Sequence, residues 1–358
     1  MQLQCIYANS TQEESAPIEI DGGEYLFEVI FAANGEYIVG GGGHEVGVWR
    51  VEDGTQMATM ATRDVCSLAA SKDGRWIAAG TENGELIMWD AKTFEEVFSH
   101  GECYTIPGVD FSPDSTRLVN TPGAGTTTVW NVATRKEVLS LDHDGCVLAA
   151  RYSPQGDRIA TASEESVRVW DSNNGRLLVD IPVKVTAWNA GLLWSVDNNH
   201  LFVVSGSTVK QFEASTGSTV SEWLVPGAGS PSCIVLPKHG GFIACSTKDT
   251  VTFWNTSTHT QLGLIQQTQP ICSTALSPDG RFLAIVGKDR KITIRSLPRI
   301  IVSIVFLWIM VHLNNILVHR VHSHCLVCIP LSRNLTSRST TLRSIHGSTT
   351  SSRTRTRY

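Results

Sequence analysis

Short β-prone runs recur along this chain at nearly constant spacing, and almost every one ends on an aromatic residue. The end positions are Trp49, Trp89, Trp130, Trp170, Phe212, Trp254 and Arg295, separated by 40, 41, 40, 42, 42 and 41 residues. Random scatter of the ten Trp would not give so even a series. Phe212 keeps the aromatic character at the fifth position, and Arg295 loses it at the seventh. A repeat of this length is one supersecondary unit that cannot bury its apolar face alone. Several units must therefore stack on one another.

Each unit has the same internal grammar. In the second, Val65-Cys66-Ser67-Leu68-Ala69 leads through Ser71-Lys72-Asp73-Gly74 into Trp76-Ile77-Ala78-Ala79. Glu82-Asn83-Gly84 then turns the chain into Leu86-Ile87-Met88-Trp89, and Val97-Phe98 supplies a last strand. Four short runs divided by Gly, Asp and Asn turns make a four-stranded meander. The first turn returns as Ser112-Pro113-Asp114-Ser115, Ser153-Pro154-Gln155-Gly156 and Ser277-Pro278-Asp279-Gly280. Pro presets φ there and Gly accepts φ > 0. No run sustains a 3.6-residue period, which predicts almost no helix.

A period near 41, four strands per unit and Trp-Asp closing the third strand resemble the WD-repeat β-propellers, in style those of fungal multi-repeat proteins. The dipeptide stands at Trp89-Asp90 and Trp170-Asp171, and as Trp-Asn at Trp130-Asn131 and Trp254-Asn255. The Gly-His pair that opens many family repeats is degraded, with His100 and His143 the nearest candidates, so the family's His-Ser-Asp-Trp set is mostly incomplete. The likeness covers about residues 16–298. It implies an all-β, seven-bladed β-propeller of four-stranded antiparallel blades. Residues 1–298 would form the propeller, and 299–358 an irregular C-terminal tail.

A propeller must join its first and last blades or leave two open sheet edges. The seventh unit lacks a clear fourth strand. Ala16-Pro17-Ile18-Glu19-Ile20 alternates as a strand should and is predicted to fill that place, closing the ring from the N-terminus. Ile300–Phe306 competes for the same slot, and only one of the two can occupy it.

Charge is unevenly spread. From Arg299 to Tyr358 there are eight Arg and no Lys, Asp or Glu; removing those eight leaves 21 basic against 34 acidic side chains in residues 1–298, a net of −13. Such a body repels phosphate backbones at long range, which argues against direct nucleic-acid binding. The opening Met1-Gln2-Leu3-Gln4-Cys5 has no basic region followed by an apolar stretch, so no secretory leader is expected. Nine Cys follow no framework spacing, and Cys66, Cys146, Cys233 and Cys272 fall in apolar runs. Buried reduced thiols in a cytoplasmic or nuclear protein are the expectation.

The tail has a different character. Its apolar run, Ile300–Val311, is twelve residues, short of the roughly 20 needed to span a bilayer. The absence of carboxylates beyond it reads as a poorly ordered or non-native extension. His319, His322, His324, Cys325 and Cys328 include a Cys-x-x-Cys, but no second pair sits at a compatible distance, so no metal site is expected. Elsewhere there is no Gly-x-Ser-x-Gly elbow, no phosphate loop and no His-Glu-x-x-His. The run Gly40–Gly43 lacks the Gly-Lys-Ser/Thr ending and reads as a β-turn, and Glu164-Glu165 as a solvated loop. No catalytic set and no cofactor are expected.

The resemblance implies a rigid platform whose loops and channel mouth hold protein or peptide partners, acting as a monomer or as part of a larger assembly. Loops from the fourth strand to the next first strand share one face with the second-to-third-strand turns. That top face is expected to offer Arg63, Glu102, Tyr104, Asp142, His143, Lys184, Trp188 and Gln269 from the first set, and His44, Glu82, Glu164, Lys248 and Lys288 from the second. Tyr104 and Trp188 are the expected anchors, since aromatics dominate hot spots. Glu102, Asp142 and Glu164 would favour a basic partner segment. The alternative is an enzyme or small-ligand binder with its site in the central channel. Clustered carboxylates or His inside the channel would favour it.

Overall fold

A computed structural model describes residues 16–297, apart from 124, 186–190 and 228–232. Trp188, the competing closing segment 300–306, the tail and its His/Cys cluster lie outside the described residues.

The described chain forms 28 strands and one 3₁₀ turn, Ala33–Gly35. It opens with β1 (Ile18–Asp21), followed by blade 1: β2 (Leu26–Ala32), β3 (Tyr37–Gly42), β4 (Glu45–Arg50) and β5 (Gln56–Ala61). Blade 2 is β6 (Val65–Ala70), β7 (Trp76–Thr81), β8 (Glu85–Asp90) and β9 (Glu96–Gly101). Blade 3 is β10 (Val109–Phe111), β11 (Arg117–Asn120), β12 (Thr126–Asn131) and β13 (Lys136–Asp142). Blade 4 is β14 (Val147–Tyr152), β15 (Arg158–Ser163), β16 (Ser166–Asp171) and β17 (Leu177–Pro182). Blade 5 is β18 (Leu192–Trp194), β19 (His200–Ser205), β20 (Thr208–Glu213) and β21 (Thr219–Leu224). Blade 6 is β22 (Cys233–Val235), β23 (Phe242–Ser246), β24 (Thr250–Asn255) and β25 (Gln261–Gln266). Blade 7 takes β26 (Ile271–Leu276), β27 (Phe282–Gly287) and β28 (Lys291–Ser296), and borrows β1 as its outer strand.

The seven sheets are antiparallel, and their innermost strands β2, β6, β10, β14, β18, β22 and β26 touch in cyclic order, with β26 returning to β2. The ring is closed as expected from the N-terminus: Ile18 lies opposite Ile294, Glu19 opposite Thr293, Ile20 opposite Ile292 and Asp21 opposite Lys291. In blades 1 to 6 the outer pairing carries a bulge immediately before the third-strand aromatic, from Val48/Trp49 to Phe253/Trp254. The closing pair β1–β28 has none.

The recurring turn owes its residues to hydrogen bonding. Ser71 Oγ donates to Asp73 Oδ1 (2.6 Å) and accepts from Trp76 N (2.9 Å). Ser112 with Asp114, Ser195 with Asp197 and Ser277 with Asp279 repeat the pattern. A short polar side chain thus occupies donors that a four-residue turn would leave bare. Between sheets the packing is apolar. The third-strand aromatics Trp49, Trp89, Trp130, Trp170, Phe212 and Trp254 are all buried.

Two expectations need correction. The run Gly40–Gly43 is not a turn: Gly40, Gly41 and Gly42 belong to β3, and only Gly43 lies outside it. A side chain there would strike its neighbours. A Cβ on Gly41 would come within 2.7 Å of Val65 in blade 2, and one on Gly42 would overlap the Tyr25 carbonyl. The strand is glycine-rich because neighbouring backbone and side chains pass close by. Cys146 lies just ahead of β14 and is exposed, as is Cys103, so these two thiols are not buried. Cys233 and Cys245 are buried, and burial pushes the Cys233 thiol up.

Candidate functional site

Strands alternate in direction within each blade, so outer-to-inner loops and second-to-third-strand turns emerge on one face, and backbone hydrogen bonds knit them together. Glu102 N donates to Gly84 O, His143 N to Gly125 O, Val185 N to Glu164 O and Lys288 N to Pro270 O. At these described residues the crossing loops are therefore held by the neighbouring hairpins.

The loop bearing Tyr104 is pinned by several close contacts. Gly84 holds φ +80°, and a Cβ there would lie 2.5 Å from Glu102 O and 2.6 Å from Tyr104 O. Only glycine allows this approach. Thr105 Oγ1 donates to Glu82 O at 2.9 Å, and Gly123 N donates to Thr105 O at 2.9 Å. On this fixed backbone the Tyr104 side chain is 57% exposed. A large aromatic held in solvent on a pinned loop is pre-ordered to bury itself against something else.

The other predicted residues divide into two groups. Arg63, Glu82, Asp142, Glu164, Lys184, Lys248, Gln269, Lys288 and His44 are exposed on this face. Glu102 is partly buried and pairs with His100 at 3.7 Å. His143 turns inward: its ring packs on Trp170 with centroids 5.4 Å apart, and neither ring nitrogen has a hydrogen-bond partner. Burial and the nearby Arg168 hold His143 well below the usual histidine range, at about 4. It anchors its loop instead of presenting a polar group. Trp170 Nε1 finds Thr161 Oγ1 at 2.7 Å and Trp130 Nε1 finds Asn120 Oδ1 at 2.8 Å, so the tryptophans keep a buried partner without a histidine relay.

Charge on this face is polarised. Over blades 2 to 4 stand Asp64, Glu82, Glu85, Glu102, Asp142, Asp144, Glu164 and Glu165, against Arg63 and Arg168. Arg168 is already engaged by Asp144 (2.6 Å) and Asp180 (3.1 Å), and that guanidinium holds the Asp144 carboxyl below its ordinary range. Over blades 6 and 7 the charges balance, with Lys248, Lys288, Arg290 and Lys291 beside Asp249, Asp289, Asp21 and Glu24.

The sequence reading missed the residues of the central channel. A cavity of about 280 Å³ is lined by all seven inner strands and includes Glu28, Asp110 and Arg151. Glu28 Oε2 accepts from Leu68 N (2.6 Å), tying blade 1 to blade 2, and Asp110 Oδ2 accepts from Tyr152 N (2.8 Å), tying blade 3 to blade 4. Burial raises the Asp110 carboxyl although Arg151 opposes it. Both carboxylates thus serve as inter-blade staples. Among the described residues no three His, Cys, Asp or Glu side chains are grouped to hold a metal ion, and no helix is long and apolar enough to cross a membrane.

A family model for the WD domain, G-beta repeat, matches residues 54–90 and 135–171. Each match begins ahead of the outer strand of one blade and ends on the Trp-Asp of the next, so the sequence repeat straddles two blades. The chain is a seven-bladed β-propeller that carries WD repeats over residues 54–90 and 135–171. It is similar to the serine-threonine kinase receptor-associated protein of Gallus gallus, 22% identical over 64% of this chain and 67% of that one. The protein of the same name from Dictyostelium discoideum is 26% identical over 34% of this chain and 42% of its own length. The small ribosomal subunit protein RACK1y of Oryza sativa subsp. japonica is 28% identical over 35% and 36%. The matched region spans less than half of the latter two relatives.

Proposed function

We propose that this WD-repeat ring is a non-catalytic scaffold that docks a partner protein on its top face. The partner would meet the acidic sector over blades 2 to 4 through a basic segment, with Tyr104 as anchor and Glu102, Asp142 and Glu164 receiving the charge. Lys184, on the blade 4–5 loop, would border this sector, and Lys248 would stand on the opposite side of the face, where charges balance. The exposed Tyr104 on a backbone pinned by Gly84 and Thr105 carries this reading. Such an anchor loses little entropy on binding. The surrounding carboxylates would speed encounter with a cationic segment and make it salt-dependent. The relatives support the coarser statement, since propellers of this kind are typically interaction platforms.

Residues 1–298 would suffice for this activity. The test is affinity capture with the full chain beside Tyr104→Ala and Glu102→Lys variants of matched circular dichroism. A partner retained by the native chain and weakened by roughly thirtyfold or more in Tyr104→Ala, the size of a hot-spot loss near 2 kcal/mol, supports the anchor. Equal retention by all three removes the acidic sector from consideration.

A second reading rests on the channel. Glu28, Asp110 and Arg151 in one cavity of about 280 Å³ would suit a small polar ligand. The staple bonds of Glu28 and Asp110 favour a structural role for both carboxylates.

A further inference from the structure

One place is equivalent in all seven blades: the inner-strand residue that lies opposite the second residue of the next strand and packs against the preceding blade. Phe31, Phe111, Tyr152, Trp194, Leu236 and Leu276 hold it in blades 1 and 3 to 7, and each packs into the apolar cluster shared with the blade before. In blade 2 the residue is Ala70, opposite Ile77. Where the other interfaces receive a ring or a branched aliphatic chain, blades 1 and 2 leave a cavity of about 300 Å³. Tyr37, Met57, Trp76 and Phe94 line it with Ala70. Phe94 stands at φ +60°, at a turn position held by Gly54, Gly175 and Gly217 in blades 1, 4 and 5. A bulky residue is rarely kept in that left-handed region, so an aromatic wall is retained here against backbone strain. Protein interiors seldom leave such a space empty.

We propose that the apolar run 300–311 of the same chain fills this cavity, seating Phe306 or Trp308 where the other blades carry their own large side chain. Strand β1 holds the closing slot, so the run has no strand position left in blade 7. The chain also leaves the ring on the face where the cavity opens. Gly74, Lys92 and Phe94 place the mouth among the bottom-face turns of blade 2. Leu297 N donates to Arg281 O in blade 7, as Ala91 N donates to Arg75 O in blade 2, and Ala91 lines the cavity. The exit therefore sits at the blade 7 counterpart of a cavity-lining residue, two blades away. Phe306 lies nine residues beyond Leu297 and Trp308 eleven, about 30–36 Å of extended chain. Two sheet spacings of roughly 10 Å each fall within that reach. Left in water, the run exposes Ile, Val, Phe, Leu and Trp side chains; seated, it exchanges that surface for an apolar cleft. The cavity opens opposite the acidic top sector, so this docking does not depend on the proposed partner.

Chymotrypsin cleavage after Phe306 and Trp308 in the full chain, followed by mass spectrometry, reads whether the run is held. A run docked about nine-tenths of the time is cut about tenfold more slowly than a free one. Ala70→Phe gives blade 2 the residue that blades 1 and 3 carry. It should fill the cavity, keep the circular dichroism of the ring and raise cleavage about tenfold. Gly263→Ala, where nothing lies within 4 Å of the added Cβ, should change nothing. Equal cleavage of the native and Ala70→Phe chains overturns the proposal. Indole binding, followed by ligand-observed NMR, keeps the question decidable if Ala70→Phe does not fold. A full chain carrying Phe306→Ser and Trp308→Ser should bind indole about tenfold more tightly than the native chain, whose cavity is occupied. Equal binding by the two, or no binding to the doubly substituted chain, overturns it as well.

Discussion

Ring closure by β1 makes a quantitative demand on Ile20. The side chain is 4% exposed and belongs to a core cluster with Trp49, Val51, Ala284, Ile292 and Ile294, so it bridges blade 7 and blade 1. Its Cγ1 is 3.1 Å from the position a Gly54 Cβ would take, which leaves no slack on the blade 1 side. Replacing a buried Ile by Ala costs about 2–5 kcal/mol, the lost transfer energy plus a cavity the frame cannot fill. At about 2–4 °C per kcal/mol for a domain of this general size, a cost near 3 kcal/mol lowers Tm by about 6–12 °C. Differential scanning calorimetry on Ile20→Ala reads this directly. Glu19→Ala is the control: Glu19 lies on the same strand and pairs with Lys291 at 2.9 Å in full solvent, and should barely move Tm. Removing residues 299–358 should leave the ring folded as well. If Ile20→Ala costs less than about 1 °C while polar substitutions across 300–306 unfold the ring, the closure argument fails and the competing segment holds the slot.

Three further outcomes follow from the geometry. Gly84→Ala should displace the loop carrying Tyr104, since its Cβ would meet two carbonyl oxygens at 2.5 and 2.6 Å and its φ is +80°; weaker partner retention with a Tm loss equivalent to about 1–3 kcal/mol checks it. Gly47→Ala should cost about 1–3 kcal/mol, because a Cβ there overlaps the Trp49 ring; near-ultraviolet circular dichroism would report the displaced indole. His143 is held at about 4 when folded against 6.5 when free, so the neutral form stabilises the fold. That contribution is complete above pH 6.5 and is lost as pH falls towards 4, at most about 3 kcal/mol. Denaturant titrations of His143→Phe should show a shallower decline over this window. His239 and His259, also lowered by burial, leave a residual slope of the same sign.

The ring was legible because its determinants repeat. The third-strand aromatic, the Ser-x-Asp turn and the four-run grammar each recur, so one degraded copy, such as Arg295, is outvoted by six others. Even the closing strand could be found, because a missing fourth strand at one end and a spare one at the other define each other. What repeats least was hardest to read. The channel groups Glu28, Asp110 and Arg151 come from blades 1, 3 and 4, stand singly among apolar residues, and meet only when the ring closes. Gly40–Gly43 misled because a glycine run signals either a turn or a close approach, and nothing local distinguishes a bend from the passage of Val65 and Tyr25. His143 misled for a related reason: a loop position says where the backbone lies, while the ring chooses Trp170 over solvent.

The same distinction explains why function is less legible than fold in such a protein. Repetition fixes the frame through residues that every blade shares, and those cannot specify a partner, since seven equivalent surfaces would bind seven times. Specificity has to come from where the blades differ. Here the departures are spatially sorted: acidic loops around an exposed tyrosine on blades 2 to 4, loops of balanced charge on blades 6 and 7, and one uncharged outer strand on blade 6. Each departure gives up something the repeat would otherwise provide. An exposed Tyr104 forgoes burial, crowded carboxylates repel one another, and an uncharged β25 forgoes the charges that guard most of the other outer strands. Costs of this kind persist in a chain when something outside it offsets them, so the non-repeating residues are the ones to mutate first.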